Sequence, residues 1–243
     1  MRLTVVGCSP AWPNPGEAHS GYLVESSGRL LVDCGPGVLA KLREHENGWP
    51  EIDAIVISHF HLDHWGDVVP WVWGRMFGLG RSTPTPELWG PPGMAEQLTA
   101  FGEWFGTPDM FSRVFELKEF TEHEPFETSA GLTLTPIAVP HYNIPTYAFR
   151  ITDGKSMLVY SGDSAPSDAL IDAARDADVF LCEATLASSE KDHPSIRGHL
   201  SADEAVAAFK ASGAKRLLLT HRPRELALEN GLELVQEGYV LDL

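Results

Sequence analysis

The strongest constraint on how this chain folds is a series of nine short β-branched or aliphatic runs, several of which stop on a histidine or an aspartate. They are LTVVG (3–7), GYLVES (21–26), LLVDCG (30–35), AIVISH (54–59), LTLTPIAVPH (132–141), TYAFRIT (146–152), MLVYSGD (157–163), VFLCEAT (179–185) and RLLLTH (216–221). Runs of this length and composition read as strands. Between them the spacing predicts helices over 36–46, 66–79, 92–105, 166–176, 201–212 and 223–230. Ser201-Ala-Asp-Glu204 forms a capping box ahead of an alanine-rich run. The early strands lie close together like hairpins and the later ones alternate with helices. The expected class is therefore α/β (or α+β), with mixed sheets covered by helices. No repeat or low-complexity tract divides the chain, and the Pro- and Gly-rich stretch 80–93 is too short to mark a boundary. One domain, 1–243, is expected.

Charge and composition narrow the partners. Acidic residues outnumber basic ones by 34 to 18, for a net charge of -16. Bulk attraction to nucleic acid or anionic lipid needs a positive field, so stable nucleic-acid binding is not expected. The apolar stretch near Trp71 is cut by Asp67 and Arg75, far short of the roughly 20 apolar residues of a membrane span. MRLTVVG runs straight into a strand pattern without a cleavage site, so no membrane partner and a cytoplasmic location are expected. Cys8, Cys34 and Cys182 are odd in number and widely spread, which reads as reduced core residues rather than a disulfide framework or thiolate metal site.

The densest chemistry lies in His59-Phe-His61-Leu-Asp63-His64, directly after AIVIS. In an extended segment His59 and His61 project to one side, while Asp63 and His64 sit at the turn into the next helix. Such a string serves two neighbouring divalent cations. Imidazole and carboxylate donors without thiolate suit zinc, manganese or iron better than calcium or magnesium. Two cations need more ligands, and His141, Asp163 and His221 each end an apolar run. Strand ends meeting at one sheet edge bring such distant residues into a rigid pocket. The set divides into His59, His61 and His141 around one ion and Asp63, His64 and His221 around the other, with Asp163 bridging. Taken alone, His141 or His221 reads more readily as a hydrogen-bonded core histidine. Together with the string, ligation is the better reading.

These motifs resemble the metallo-β-lactamase superfamily, more closely its branch of ribonuclease Z and small cyclic-nucleotide phosphodiesterases. The resemblance covers nearly the whole chain through HFHLDH (59–64), VPHYNIPTYAFRI around His141, YSGD ending at Asp163, CEAT (182–185), GHLSADEA (198–205) and LLLTH ending at His221. It implies an αββα sandwich of two mixed sheets with a dimetal cleft along one edge, the ligand division above, and a homodimer. VDCGPG (32–37) is similar to the superfamily's early aspartate turn, which places Asp33 as a buried support of the histidine loop. His199 matches the position that the ribonuclease Z branch uses in proton transfer, with Glu183 as a supporting carboxylate beside it. The same resemblance implies that Asp63 orients or deprotonates the attacking water while remaining a ligand. Read without it, His199 is a cap for the helix near Ser201, and Glu183 a salt-bridge partner of Arg197 or Lys191.

Two ions about 3.5 to 4 Å apart lower the pKa of a shared water to roughly 7, so hydrolysis is the expected chemistry. His199 then protonates the leaving alkoxide. The expected substrate is a small, cyclic-nucleotide-like phosphodiester. A lactonase or thioesterase uses the same hydroxide on a carbonyl carbon, and an idle metal-binding protein keeps the sandwich as a scaffold. Processing of tRNA 3′ ends fits less well. The chain is acidic, SPAWPNPGEAHSG lacks a basic element, and only 21 residues separate His141 from Asp163, where tRNA-processing relatives carry a long arm. Arg150, Arg197, Arg222 and Arg224 are the candidates for phosphate contact. Trp65, Trp71, Trp73 and Phe77 are candidates for a buried face, a dimer contact or base stacking.

Overall fold

Alternation along each run decides which layer its side chains enter. In β3 (Arg29–Val32) Leu30 and Val32 face one core and Leu31 another, and β2 (Gly21–Glu25) splits Tyr22 and Val24 from Leu23 in the same way. The computed structural model describes residues 1–45, 48–189, 192, 196–228 and 231–243. Among them, one sheet joins these strands to β1 (Arg2–Gly7), β4 (Ala54–Val56), β5 (Glu87–Gly90), β6 (Glu116–Glu119) and β13 (Val240–Asp242), in the order β13-β1-β2-β3-β4-β5-β6. The second holds β7 (Phe126–Glu127), β8 (Thr133–Val139), β9 (Thr146–Thr152), β10 (Met157–Tyr160), β11 (Val179–Glu183) and β12 (Leu217–Thr220), in the order β12-β11-β10-β9-β8-β7.

The two sheets pack face to face through Leu3, Val5, Tyr22 and Leu30 on one side and Phe149, Ile151, Leu158 and Leu181 on the other. Helices α1 (Val38–His45), α3 (Val68–Phe77) and α4 (Met94–Glu103) cover the outer face of the first sheet. Helices α5 (Asp168–Ala173) and α6 (Ala202–Ser212) cover that of the second. This is the αββα sandwich the resemblance implied. Trp65 and Trp71 are buried in the outer layer, whereas Trp73 stacks on the exposed Phe77 with ring centres 6.0 Å apart. All three cysteines are buried and free, and burial pushes the Cys8 thiol up to about 12. No described helix is long and apolar enough to cross a membrane.

The capping box forms as predicted: Ser201 Oγ accepts from Glu204 N–H, the Glu204 carboxylate accepts from Ser201 N–H, and Gly213 closes α6 with φ 75°. Several expectations shift. A separate helical turn, α2 (Leu62–Trp65), precedes α3, because Asp63 and His64 already lie in helical backbone. Strands β5, β6, β7 and β13 escape the hydrophobic pattern, since they are short and rich in glutamate or aspartate. The helix expected over 223–230 is irregular through 228. Its backbone groups are taken by tertiary partners, Arg224 N–H donating to Asn14 Oδ1 and Ala227 carbonyl accepting from Arg222. Positions 229 and 230 lie outside the described residues.

Strands β3 and β4 run parallel, as do β10, β11 and β12. Strand β8 shares the direction of β10, because both pair antiparallel to β9. The finishing ends of all these strands open onto one edge, which is where ligands gather in sheets of this kind.

Candidate metal centre

Asp33 leaves β3 in a left-handed conformation, φ 58°, and is buried. Its Oδ1 accepts from Ser58 N–H at 2.8 Å. Its Oδ2 accepts from Ser58 Oγ at 2.9 Å, Tyr160 hydroxyl at 2.8 Å and His64 Nδ1 at 2.7 Å. One carboxylate thus ties the start of the histidine string to one of its rings, as expected of a buried support. The Ser58 hydroxyl gives its proton to Asp33, so His59 Nδ1 donates to Ser58 Oγ at 3.0 Å and its Nε2 keeps a lone pair. The carbonyl of Gly198, which can only accept, takes a hydrogen bond from His141 Nδ1 at 2.6 Å, and Nε2 again keeps the lone pair.

The residues expected to ligate come together in the expected sets. Donor atoms of His59, His61, His141 and Asp163 lie within 4.8 Å of one another, and so do those of Asp63, His64, Asp163 and His221. Asp163 belongs to both. Its Oδ2 is 3.8 Å from His59 Nε2 and from His141 Nε2, and 3.3 Å from His64 Nε2. Asp63 Oδ2 faces His221 Nε2 at 3.2 Å and His64 Nε2 at 3.5 Å. His59 Nε2, His64 Nε2 and Asp163 Oδ1 are buried without a hydrogen-bond partner. Orphaned polar atoms are costly in a folded interior, and a divalent cation satisfies this donor set.

Burial pushes the imidazoles of His59, His61 and His141 below the ordinary histidine range, His141 to about 4, so they are neutral donors at pH 7. Burial opposes the charge on Asp63, yet the hydrogen bond with His221 and the His64 ring beside it hold it well below the usual carboxylate range. Asp163 is held down in the same way by the charges of His221 and His64. Burial opposes the charge on His64 too, but Asp163 and Asp33 raise it. The first set is thus rich in neutral imidazoles and the second in carboxylates, with the ionised Asp163 common to both.

Glu183 ends β11 and is buried. Its Oε1 accepts from Ser164 N–H at 2.8 Å and from His199 Nδ1 at 2.9 Å, and its Oε2 accepts from Thr185 Oγ1 at 2.8 Å. Burial would lower the pKa of His199, but the charge and hydrogen bond of Glu183 outweigh it and carry it up to about 9. Ser201, not His199, caps α6. The guanidinium of Arg197 binds Glu204 Oε1 at 2.7 Å rather than Glu183, and Lys191 lies outside the described residues. Glu183, His199 and His221 form a third group able to hold a cation, but only by giving up the bond between Glu183 and His199.

The arginines turn to other partners. Arg222 donates to the carbonyls of Ala184, Leu186 and Ala227, Arg150 to those of Ala173 and Arg175, and Arg224 pairs with Glu17. Asp67 accepts from Leu39 N–H at 2.8 Å and so serves the start of α1. Two residues at this edge carried no sequence signal. Tyr142 follows His141 with φ 48°. His19, from the proline-rich loop, is buried with Nδ1 donating to Pro10 carbonyl at 2.9 Å, and packs with the Asp63 backbone around Gly35. A lone aromatic after a ligand and a lone histidine among prolines have no periodicity to reveal them.

The profile of the Beta-lactamase superfamily domain matches residues 28–222. An uncharacterized protein of Mycobacterium tuberculosis is 37% identical over 92% of this chain and 81% of its own length. The probable metallo-hydrolase YhfI of Bacillus subtilis is 34% identical over 92% of this chain and 87% of its own length. The crystal structure of YhfI superposes with a TM-score of 0.84 at 30% identity, covering 99% of both chains. A ribonuclease Z of Myxococcus xanthus is 28% identical over 91% of this chain and 86% of its own length.

Proposed function

The chain is a hydrolase of the metallo-β-lactamase superfamily, and on that premise we propose that it is a metal-dependent phosphodiesterase acting on a small substrate of the cyclic-nucleotide kind. His199 carries this reading. It stands beside both sets of four residues, belongs to neither, and is held by Glu183 in a form that keeps its proton at pH 7. A phosphodiester leaves behind an alkoxide, which departs only with a proton. With Nδ1 tied to Glu183, the Nε2 proton of His199 is the one available to give.

In this reading His59, His61 and His141 hold one divalent cation and Asp63, His64 and His221 the other, with Asp163 shared. Zinc suits these donors best, and manganese and iron also fit. When bound, such a pair supplies hydroxide near neutral pH and offsets charge on the non-bridging phosphate oxygens. Asp63, kept ionised by His221 and His64, orients the attacking water or takes its proton. Asp33 fixes the His64 ring and, through Ser58, that of His59. Glu183 aims His199.

A large RNA substrate is disfavoured by the net charge of -16 and by the connection from β9 to β10, which is a turn over 153–156 instead of an arm. The test is a substrate panel on protein reconstituted separately with zinc and with manganese. It sets bis(p-nitrophenyl) phosphate and the 2′,3′- and 3′,5′-cyclic nucleotides against acyl-homoserine lactones and thioesters. Turnover of a cyclic phosphodiester is the expected result. Hydrolysis of a lactone or thioester with every phosphodiester untouched would replace this reading with that of an ester hydrolase.

A further inference from the structure

We propose that Tyr142 determines specificity in the cleft: its ring is the wall on which a planar group, carried on the leaving side of the substrate, stacks. The inference rests on the phosphodiesterase reading above, which puts the leaving oxygen at His199. Tyr142 holds a φ of 48°, a conformation that bulky residues adopt only where their surroundings compel it. Three contacts do so. Tyr142 N–H donates to the Arg197 carbonyl at 3.1 Å, its hydroxyl donates to Asp192 Oδ1 at 3.3 Å, and its ring packs so tightly on Gly198 that a Cβ there would sit 2.4 Å from Cε2 and Cζ. All three partners precede His199 on the same loop, so the ring is fixed relative to that histidine.

The ring centre lies 5.6 Å from that of His199, nearly edge-on at 81°, 4.8 Å from His141 and 6.4 Å from His61. It borders both the first ligand set and the proton donor, yet remains 38% exposed. Burial of the ring is therefore not what holds this strained backbone in place.

The charges around it favour the same occupant. Arg150, Arg197, Arg222 and Arg224 are engaged with other partners, and the described side chains of the two ligand sets are imidazoles and carboxylates. The part of a substrate lying away from its phosphate finds an aromatic face here rather than a cation. Such a face takes a planar heterocycle by stacking, and a nucleobase is a group of that kind.

Calorimetric binding to the zinc-loaded protein tests this, with adenosine 5′-monophosphate and ribose 5-phosphate as probes. The wild type is expected to bind the first about tenfold more tightly than the second. Tyr142→Phe keeps that preference. Tyr142→Gly suits the left-handed backbone but lacks the ring; it should lose about tenfold in affinity for the nucleotide and none for ribose 5-phosphate. Equal affinity of the wild type for both probes, or a Tyr142→Gly variant that keeps the preference or weakens both probes alike, overturns the proposal and leaves the phosphodiesterase reading standing. A wild type that binds neither probe also overturns it, and the reading falls too if no phosphodiester is hydrolysed.

Discussion

The two ends of the same parallel strands treat buried polarity in opposite ways. At the starting ends, carboxylates are fully partnered. Glu87, the first residue of β5, accepts from Lys118 Nζ at 2.6 Å, Trp89 Nε1 at 2.8 Å and Ser129 N–H at 3.0 Å. The half-buried Asp178, just ahead of β11, is likewise partnered, accepting from Met157 N–H at 2.8 Å and Lys215 Nζ at 2.7 Å. At the finishing ends, His59 Nε2, His64 Nε2 and Asp163 Oδ1 have no hydrogen-bond partner, while Asp33, Tyr142 and His221 hold φ values of 58°, 48° and 52°. One end is built for stability. The other gathers unmet polarity, which a fold retains where function requires it.

That contrast breaks most directly at Asp163. Asp163→Asn is expected to abolish turnover, by about 10,000-fold or more, and to empty both ligand sets when metal content is measured by plasma mass spectrometry. Normal metal content and activity would end the contrast.

His199→Ala should retain its metals and lose about 100- to 10,000-fold on a cyclic nucleotide, with a smaller loss on a p-nitrophenyl ester whose leaving group needs no proton. Equal losses on both substrates would remove His199 from proton transfer. Asp33→Asn keeps the shape of the support but weakens its hold on His64 and Ser58, and a loss of about 10- to 100-fold in metal affinity is expected by chelator competition.

The smallest effect lies at the opposite end of the strands. Burial works against the Glu87 carboxylate, but the Lys118 and Trp89 hydrogen bonds hold its pKa below the ordinary value. A carboxyl whose folded pKa is depressed stabilises above its unfolded pKa, and that contribution is lost as pH falls through the folded value. Glu87→Gln should therefore cost about 1 kcal/mol at pH 7 in urea unfolding, with hydrolysis unchanged. The gap from wild type should close as pH falls below the ordinary glutamate range. A gap that persists in acid would assign the effect to packing.

Legibility followed the range over which each signal acts. The string His59 to His64 and the strand before it lie in one short segment, so their geometry follows from backbone periodicity. The capping box and the single-residue endings at His141, Asp163 and His221 were visible for the same reason. The strands end earlier than their apolar composition predicts. The apolar runs reach His59, His141, Asp163 and His221, whereas the ladders stop at Val56, Val139, Tyr160 and Thr220. Apolar composition continues to the cleft, but hydrogen bonding does not, because residues that face inward from a sheet edge must leave the ladder. Strands β5 and β6, with their glutamates, form by pairing with β4 and with each other, a tertiary effect that no local pattern carries.

By itself the chain determined its layers, its class of chemistry and the residue types that perform it, since hydrophobic period and donor identity are local properties. Tertiary structure alone decided how closely Asp163 approaches each set, that Glu183 serves His199 and not Arg197, and that the Tyr142 ring stands beside His141 and His199. Each of those outcomes depends on angles and distances between strand ends far apart in sequence, and only the packing of two sheets sets them.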